Sequence, residues 1–343
     1  MHCIIGDTMN EELKISKIAV AILVVIILMT TGFVTPALAK YQDSGKEENT
    51  LKEARSLLQG WRDKLATEGA NSAEVKEIIQ KMESYKQRLD DETKSMGTTE
   101  NTDPKDIVDR MYLIMELDSQ IEWEKYFLEE CKKAQNEYKE AEEKFNMKNL
   151  DTLSTMTVYP NGGWKKTKRT SGAGGIYEAN YDVNQKKGYV FSRSDNYNSG
   201  YGKSALYWET WWAGLPLHWQ VQYNGQYFGY SSGHITDIGG LPAGGNMGKV
   251  DITYYAWDTY NGIKARETNF DGYYADPLNM EYHGNSFNPT TDFWIGNNRI
   301  EKWEIGINFK ADSLAWGLAD MEVNHYLPPN MCWQLNSMQI TTL

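Results

Sequence analysis

Hydrophobic positions recur with two different periods along this chain of 343 residues, and the change of period divides it. Between residues 50 and 148, apolar side chains recur every three or four positions, which is the spacing of one helix face. From about residue 158, short runs alternate apolar and polar residues between glycine, asparagine and aspartate turns. The pattern predicts an α+β protein, with a helical first half followed by an antiparallel, jelly-roll-like β-sandwich.

Three helices are predicted in the first half. The first begins at the capping box Thr50–Glu53 and the second at Asn71 with Glu74. The third begins at Asp103-Pro104 and extends to about Lys148. Its apolar residues include a strict heptad series: Ile107, Ile114, Ile121 and Leu128. Since a helix of about 40 residues is about 60 Å long, we interpret residues 40–148 as a helical bundle or coiled-coil stalk, which leaves a homo-oligomer open.

The clearest strand pattern in the second half, residues 149–343, lies at Leu217–Tyr230. From Leu217 to Tyr223 the odd positions are apolar and the even positions polar, which predicts a strand with one buried face. Asn224-Gly225 is the sequence of a two-residue type I′ turn, so we expect a hairpin here. In that register one polar face, which is either a solvated surface or a ligand-binding face, carries His218, Gln220, Gln222 and Tyr227.

A second hairpin is predicted at Asn261-Gly262. Its register sets Trp257 opposite Arg266, and Tyr255 lies on the same face as Trp257. These residues form either a cation–π pair on a solvated face or a stacking platform that continues the binding face.

The N-terminus has the pattern of an export signal. An apolar run at Ile18–Val34 follows Lys14 and Lys17 and precedes the triplet Ala37-Leu38-Ala39. We interpret residues 1–39 as a signal peptide; an uncleaved anchor is the alternative, since a spanning helix needs about 20 residues. Either way the remainder is expected outside the cytoplasm, secreted or at the cell surface, with membrane contact only through this segment.

Charge and cysteine content narrow the range of partners. The formal net charge is −12 and neither half is basic, which argues against nucleic acid. Outside the signal the chain has Cys131 and Cys332, which form either one disulfide or two separate thiols. No cysteine or histidine spacing indicates zinc, and no organic cofactor is expected. Three oxygen-rich segments have the chemistry of ordinary turns, with a structural Ca²⁺ as the alternative: Asp195–Asn198, Asn269–Asp271 and Asp276.

Motifs for catalysis are weak. Gly229–Gly233 matches G-x-S-x-G, but the residues that follow cannot begin the helix that a nucleophile elbow needs. Asp320 and Glu322 share a strand face at a spacing close to that of a retaining glycosidase. We expect a non-catalytic, lectin-like protein that binds carbohydrate or another cell-envelope component. The alternatives are a structural cell-envelope or appendage subunit and a glycoside hydrolase that uses Asp320 and Glu322.

Overall fold

The fold is described here from a computed structural model. The described residues are 49–96, 104–141, 155–158, 162–171, 176–182, 186–195, 198–212, 216–238, 241–242, 244–274, 280–295, 300–325 and 332–342. The predicted signal segment lies outside them.

The helical segment has three described helices: α1 (Asn49–Thr67), α2 (Ser72–Met96) and α3 (Pro104–Ala141). The predicted start of α2 is confirmed, because Asn71 Oδ1 accepts the amide of Glu74 at 3.2 Å while Glu74 Oε2 accepts the amide of Asn71 at 2.9 Å. The predicted cap of α1 is wrong. Thr50 lies within that helix and donates to Glu92 Oε1 at 2.7 Å. Among the described helices, none is both long and apolar enough to cross a membrane.

The strands form two large antiparallel sheets and one small two-stranded ribbon. In chain order they are β1 (Ala70–Asn71), β2 (Thr155–Val158), β3 (Gly162–Ser171), β4 (Ile176–Asp182), β5 (Lys187–Asp195), β6 (Asn198–Trp212), β7 (Leu217–Ile235), β8 (Asp237–Ile238), β9 (Leu241–Pro242), β10 (Gly244–Asp258), β11 (Ile263–Tyr274), β12 (Glu281–Phe287), β13 (Thr290–Ile295), β14 (Glu301–Gly317), β15 (Ala319–His325) and β16 (Cys332–Thr342).

Sheet I has the strand order β1-β11-β10-β14-β6-β3, and sheet II contains β2, β4, β5, β7, β12, β13, β15 and β16. The long strand β7 organises sheet II. Strands β12 and β13 pair end to end along one side of it, and β15 and β16 pair along the other. The ribbon consists of β8 and β9.

A hydrophobic core lies between the two sheets. It joins residues of sheet I, such as Ile307 and Phe309, to residues of sheet II, such as Val221 and Trp333. Phe309 stacks on Trp333 with ring centroids 5.7 Å apart, so the two sheets are in direct contact. The predicted β-sandwich is therefore present, whereas its assignment to a jelly roll stays a prediction.

The helices cover the outer face of sheet I. Trp123 and Phe127 of α3 share a second hydrophobic cluster with Tyr207, Tyr255 and Trp257 of the sheet. The interpretation of this segment as a stalk is wrong, because these aromatic side chains of α3 pack against the sheet. Residues 48–343 form one compact unit. The predicted boundary at 148/149 falls at residues that are not described.

The two predicted hairpins have opposite outcomes. The turn at Asn261-Gly262 does join β10 to β11, with Gly262 at φ +70°, but Asp258 pairs with Ile263, so the loop has four residues and not the expected two. The turn at Asn224-Gly225 is wrong, because β7 continues through both residues from Leu217 to Ile235. Gly225 serves close packing instead, since a Cβ there would lie 2.1 Å from Cζ of Phe287.

Candidate functional site

The outer face of sheet II is the candidate functional surface. Along β7 the odd residues from Trp219 to Ser231 are buried, while the even residues are exposed or half-buried. Because the strand does not turn at Asn224-Gly225, this alternation continues without a break. The outward row consists of His218, Gln220, Gln222, Asn224, Gln226, Phe228 and Tyr230. Three predicted binding residues, His218, Gln220 and Gln222, therefore lie on one surface.

Tyr227, the fourth residue predicted for this face, points into the sandwich instead. Its hydroxyl donates to the carbonyl of Gly272 at 3.1 Å, and its ring lies 5.6 Å from that of Phe309. The predicted hairpin would have placed Tyr227 opposite Gln222. The continuous strand gives it the inward orientation of an odd position, which corrects that prediction.

One end of the outer face carries an exposed indole. Trp294 of β13 is 56% exposed and pairs across the strands with His218. The two rings stack with centroids 4.9 Å apart and planes at 11°. His218 Nε2 lies 3.0 Å from Asp292 Oδ2, which fixes the imidazole beneath the indole. This end therefore has a broad ring surface held in a defined orientation.

The other end carries a second aromatic group. Tyr282 of β12 is 62% exposed and stacks beside Phe228, which is 40% exposed, with centroids 6.3 Å apart. Tyr230 lies 6.1 Å from Tyr282 and completes the group. Next to it is a groove of about 490 Å³, lined by Gln226, Tyr227, Phe228, Gly284, Asn285, Ser286, Cys332 and Gln334. Rings and amide groups therefore adjoin at this end as well.

Glu322, a predicted hydrolase residue, belongs to a polar network at this second end. The hydroxyl of Tyr230 and the side-chain amide of Asn324 both donate to Glu322 Oε1, the latter at 3.1 Å. Arg193 lies 3.8 Å from Glu322 Oε2. Burial, and then the bond to Glu322, raise the pKa of Tyr230 to about 12, so this hydroxyl is a donor at neutral pH. These three partners fix the orientation of Glu322.

Asp320 shares the outward side of β15 with Glu322, as their spacing of two predicts. Its cross-strand neighbours are Asp195 and His234. The role of this pair in hydrolysis stays a prediction.

The G-x-S-x-G serine has a basic partner but not the arrangement of a triad. Ser231 Oγ lies 2.8 Å from His283 Nε2. Glu281 faces the same nitrogen at 3.9 Å, whereas the acid of a triad bonds the other ring nitrogen. Ser231 is also fully buried. We therefore assign this pair a packing role at the sheet edge.

Tyr255 and Trp257, the predicted continuation of the binding face, are buried beneath α3. The ring of Trp123 lies 5.3 Å from that of Tyr255 and 4.8 Å from that of Trp257. The four-residue loop between Asp258 and Ile263 sets Trp257 opposite Lys264, whose Nζ lies 4.9 Å from the indole. The expected pairing with Arg266 is therefore wrong, and neither aromatic residue is available to a ligand.

The structure distinguishes the two alternatives for the cysteines and describes part of the candidate calcium loops. Cys131 and Cys332 are separate buried thiols, the first in α3 and the second in β16, so they are not bridged. Asn269 accepts a bond from Thr253 at 2.6 Å, and Asp271 pairs with Lys249 at 2.8 Å. The expected ligand Asp276 and part of the loop at 195–198 lie outside the described residues. Calcium at these loops stays a prediction.

The aromatic residues at the two ends of the outer face were missed by the sequence analysis. A signal for Trp294 was present: in Thr291-Asp-Phe-Trp-Ile295 the indole shares its phase with Asp292 and not with the apolar Phe293. Tyr282 lies in a mostly exposed strand without such a signal.

Comparisons with known proteins identify no family. No family model and no curated protein match the sequence. Over 50% of its length the chain is similar to the enzymatically active domain of tailspike protein 4 of bacteriophage CBA120, at 8% identity and a TM-score of 0.23, and it covers 19% of that chain. It is also similar over 50% of its length to TmCBM61, solved with β-1,4-galactotriose, at 11% identity and a TM-score of 0.18, covering 86% of that chain. Both likenesses are too weak to decide the ligand of this protein.

Proposed function

We propose that this protein is exported and binds carbohydrate, without catalysis, on the outer face of sheet II. One observation carries the proposal: the exposed rings at the two ends of this face are joined by a row of side-chain amides. The row consists of Gln220, Gln222, Asn224 and Gln226 of β7. Export rests on the N-terminal segment and is part of the proposal.

The chemistry of the row suits a sugar. Each amide offers two N–H donors and a carbonyl acceptor, and each sugar hydroxyl can both donate and accept. The rings of Trp294 and Tyr282 provide flat apolar surfaces for the C–H faces of a sugar ring. The row itself carries no charged side chain, which favours a neutral ligand.

The length of the face favours an extended ligand. His218 and Phe228 are ten positions apart on one strand, which at about 3.4 Å per residue is about 34 Å. A monosaccharide would contact only one end, whereas an oligosaccharide could contact both aromatic groups. We therefore propose that the ligand is a chain of several sugars.

The arrangement is less suited to a protein partner. The residues that dominate protein interfaces cluster near the centre of the contact, in pockets that exclude water. On this face Trp294 and Tyr282 lie at opposite ends, and the positions between them are polar.

The test is a glycan array probed with the full chain, followed by calorimetric titration of any oligosaccharide that binds. Trp294→Ala and Tyr282→Ala should each weaken binding about tenfold or more, because truncating an aromatic anchor removes much of the contact energy. Phe270→Ala is the matched control: Phe270 is also exposed, at 46%, but it belongs to sheet I. The control should bind as the original chain does.

Two results would overturn the proposal. A blank array together with a concentration-dependent oligomer in sedimentation would favour the structural cell-envelope subunit. Release of shortened oligosaccharides that stops in Glu322→Gln would favour the glycoside hydrolase.

A further inference from the structure

Two groups of three carboxylates lie between α3 and sheet I, and they differ in whether a lysine lies among them. The first group consists of Glu116, Asp251 and Asp312. Lys310 Nζ lies within 2.9 Å of a carboxylate oxygen of each of them. An ammonium group therefore already occupies the position where a cation would bind, so we assign this group a structural role.

The second group, Glu130, Glu209 and Glu304, joins α3 to β6 and β14. Carboxylate oxygens of the three residues lie within 4.8 Å of one another. Glu304 is fully buried, and its Oε1 accepts the hydroxyl of Tyr255 at 2.8 Å. Its other oxygen, Oε2, is also buried, and no donor among the described residues reaches it. A buried carboxylate oxygen without a partner is costly, so this atom calls for a ligand.

The neighbouring lysines do not pair with Glu304 and so do not replace the ligand that its Oε2 needs. Lys302 contacts Glu209 at 3.4 Å and Glu137 at 2.7 Å, while Lys133 contacts Glu130 at 3.3 Å. Neither makes an ion pair with Glu304. Glu304 also lies directly across the strands from Glu209, an arrangement in which like charges destabilise a sheet.

The dimensions suit a large, hard cation. Ca²⁺ binds carboxylate oxygens at about 2.3–2.6 Å, so two ligands on opposite sides of the ion lie up to about 5 Å apart. Mg²⁺ demands near-ideal octahedral geometry at about 2.0–2.1 Å and usually keeps several waters, so the more flexible shell of Ca²⁺ is the better match to three carboxylates from different elements. The side chains of Glu130 and Glu209 are 13% and 25% exposed, which gives an ion a route to the buried Glu304.

We propose that Glu130, Glu209 and Glu304 bind one Ca²⁺ ion, which ties α3 to the outer face of sheet I. The ion would neutralise the opposed carboxylates and supply the missing partner of Glu304 Oε2. Bidentate carboxylates and water would complete its coordination. The site is separate from the glycan-binding face and does not depend on it.

The test uses the full chain after removal of metal with a chelator. Calorimetric titration with Ca²⁺ should show one site, and Ca²⁺ should raise the melting temperature. Tb³⁺ should bind in its place and show luminescence excited through nearby aromatic rings, because Tyr255 bonds directly to Glu304 and its ring centroid lies 4.4 Å from that of Trp257. Added Ca²⁺ should displace the Tb³⁺ signal.

Glu304→Gln keeps the shape of the side chain and removes its charge. We expect this variant to fold, to melt at least as high as the metal-free original, and to lose Ca²⁺ affinity at least tenfold. Asp312→Asn is the matched control, since Asp312 is equally buried on the same strand but belongs to the group held by Lys310. The control should retain Ca²⁺ binding.

The proposal fails if the metal-free chain shows neither binding heat nor a melting shift at about 5 mM Ca²⁺, above the range of weak extracellular modules. It fails equally if Glu304→Gln, shown to be folded by circular dichroism, binds Ca²⁺ as the original does.

Discussion

The outer faces of the two sheets follow the same period-two pattern of side chains, but one face is buried and the other is exposed. On sheet I the outward positions include Lys264, Lys302 and Lys310, and α3 covers them. On sheet II the outward positions of β7 are mainly amides and aromatic rings, and they stay in contact with solvent. Polar residues on a strand therefore do not by themselves identify the exposed face of this protein.

The difference lies in how the polar groups are satisfied. The helix α3 supplies one carboxylate to each of the three lysines: Glu116 to Lys310, Glu124 to Lys264 and Glu137 to Lys302, each within 2.7 Å. A charged face can be buried only when such partners arrive with the covering element. An amide face has no comparable need and can stay hydrated until a ligand replaces the water.

The largest effect is expected from removing the central lysine of the buried face. Lys310→Ala leaves Glu116, Asp251 and Asp312 together without their shared cation. We expect a loss of about 5 kcal/mol in the free energy of unfolding, measured by urea denaturation, because a buried charge without its partner is strongly destabilising. On sheet II, Arg193→Ala should cost less than about 1 kcal/mol. Similar losses in both variants would contradict the contrast between the two faces.

A second comparison uses one tryptophan from each outer face. Trp257→Ala removes a fully buried ring beneath α3 and should cost about 4 kcal/mol. Trp294→Ala removes an exposed ring and should change the free energy of unfolding by less than about 1 kcal/mol. Urea denaturation of the two variants measures both changes in the free energy of unfolding. A large loss of this free energy in Trp294→Ala would mean that the indole serves packing.

An effect that accumulates gradually over a range of pH is expected from Lys203. Burial, followed by repulsion from Lys310, lowers the pKa of Lys203 to about 7, although Glu122, Asp312 and Glu116 oppose the shift. The pKa of Lys203 is lower in the folded chain than in the unfolded chain, so loss of its proton favours folding. The stability gained in this way is fully present above about pH 10.5 and is lost as the pH falls toward 7.

Lys203→Met should remove this part of the pH dependence. The free energy of unfolding of the original chain, minus that of the variant, should rise with pH by up to about 1.4 kcal/mol per unit between pH 7 and 10. Denaturation at several pH values measures this difference, and a flat difference would show that the lysine is not perturbed.

The features that could be predicted from the sequence are the local ones. Asn71 with Glu74 begins a helix, and Asn261-Gly262 makes a turn, because a residue three positions away supplies a defining bond in each: Glu74 for Asn71, and Asp258, which accepts from the amide of Asn261 at 3.2 Å. Asn224-Gly225 has the same turn signature, but strands β12, β13 and β16 on both sides of β7 supply the pairing that a turn would have provided. Whether Asn224-Gly225 turns or continues as a strand therefore depends on residues more than 50 positions away in the chain.

In the candidate site, too, the local features could be predicted and those that depend on distant residues could not. The outward positions of His218, Gln220 and Gln222 were predicted from alternation alone, which is a local property. The burial of Tyr255 and Trp257 depends on α3, whose charged residues matched the pattern of a solvated helix surface. Glu124, which interrupts the apolar seam of α3, was in fact the partner of a buried lysine.

The central claim is that the exposed rings of sheet II, and not the more numerous buried rings of sheet I, bind the ligand. Its most direct test is calorimetric titration of the full chain and of the double variant Trp294→Ala/Tyr282→Ala with an oligosaccharide identified on the array. The account predicts that the double variant has an unchanged melting temperature and no measurable binding. Undiminished binding by a folded double variant would contradict it.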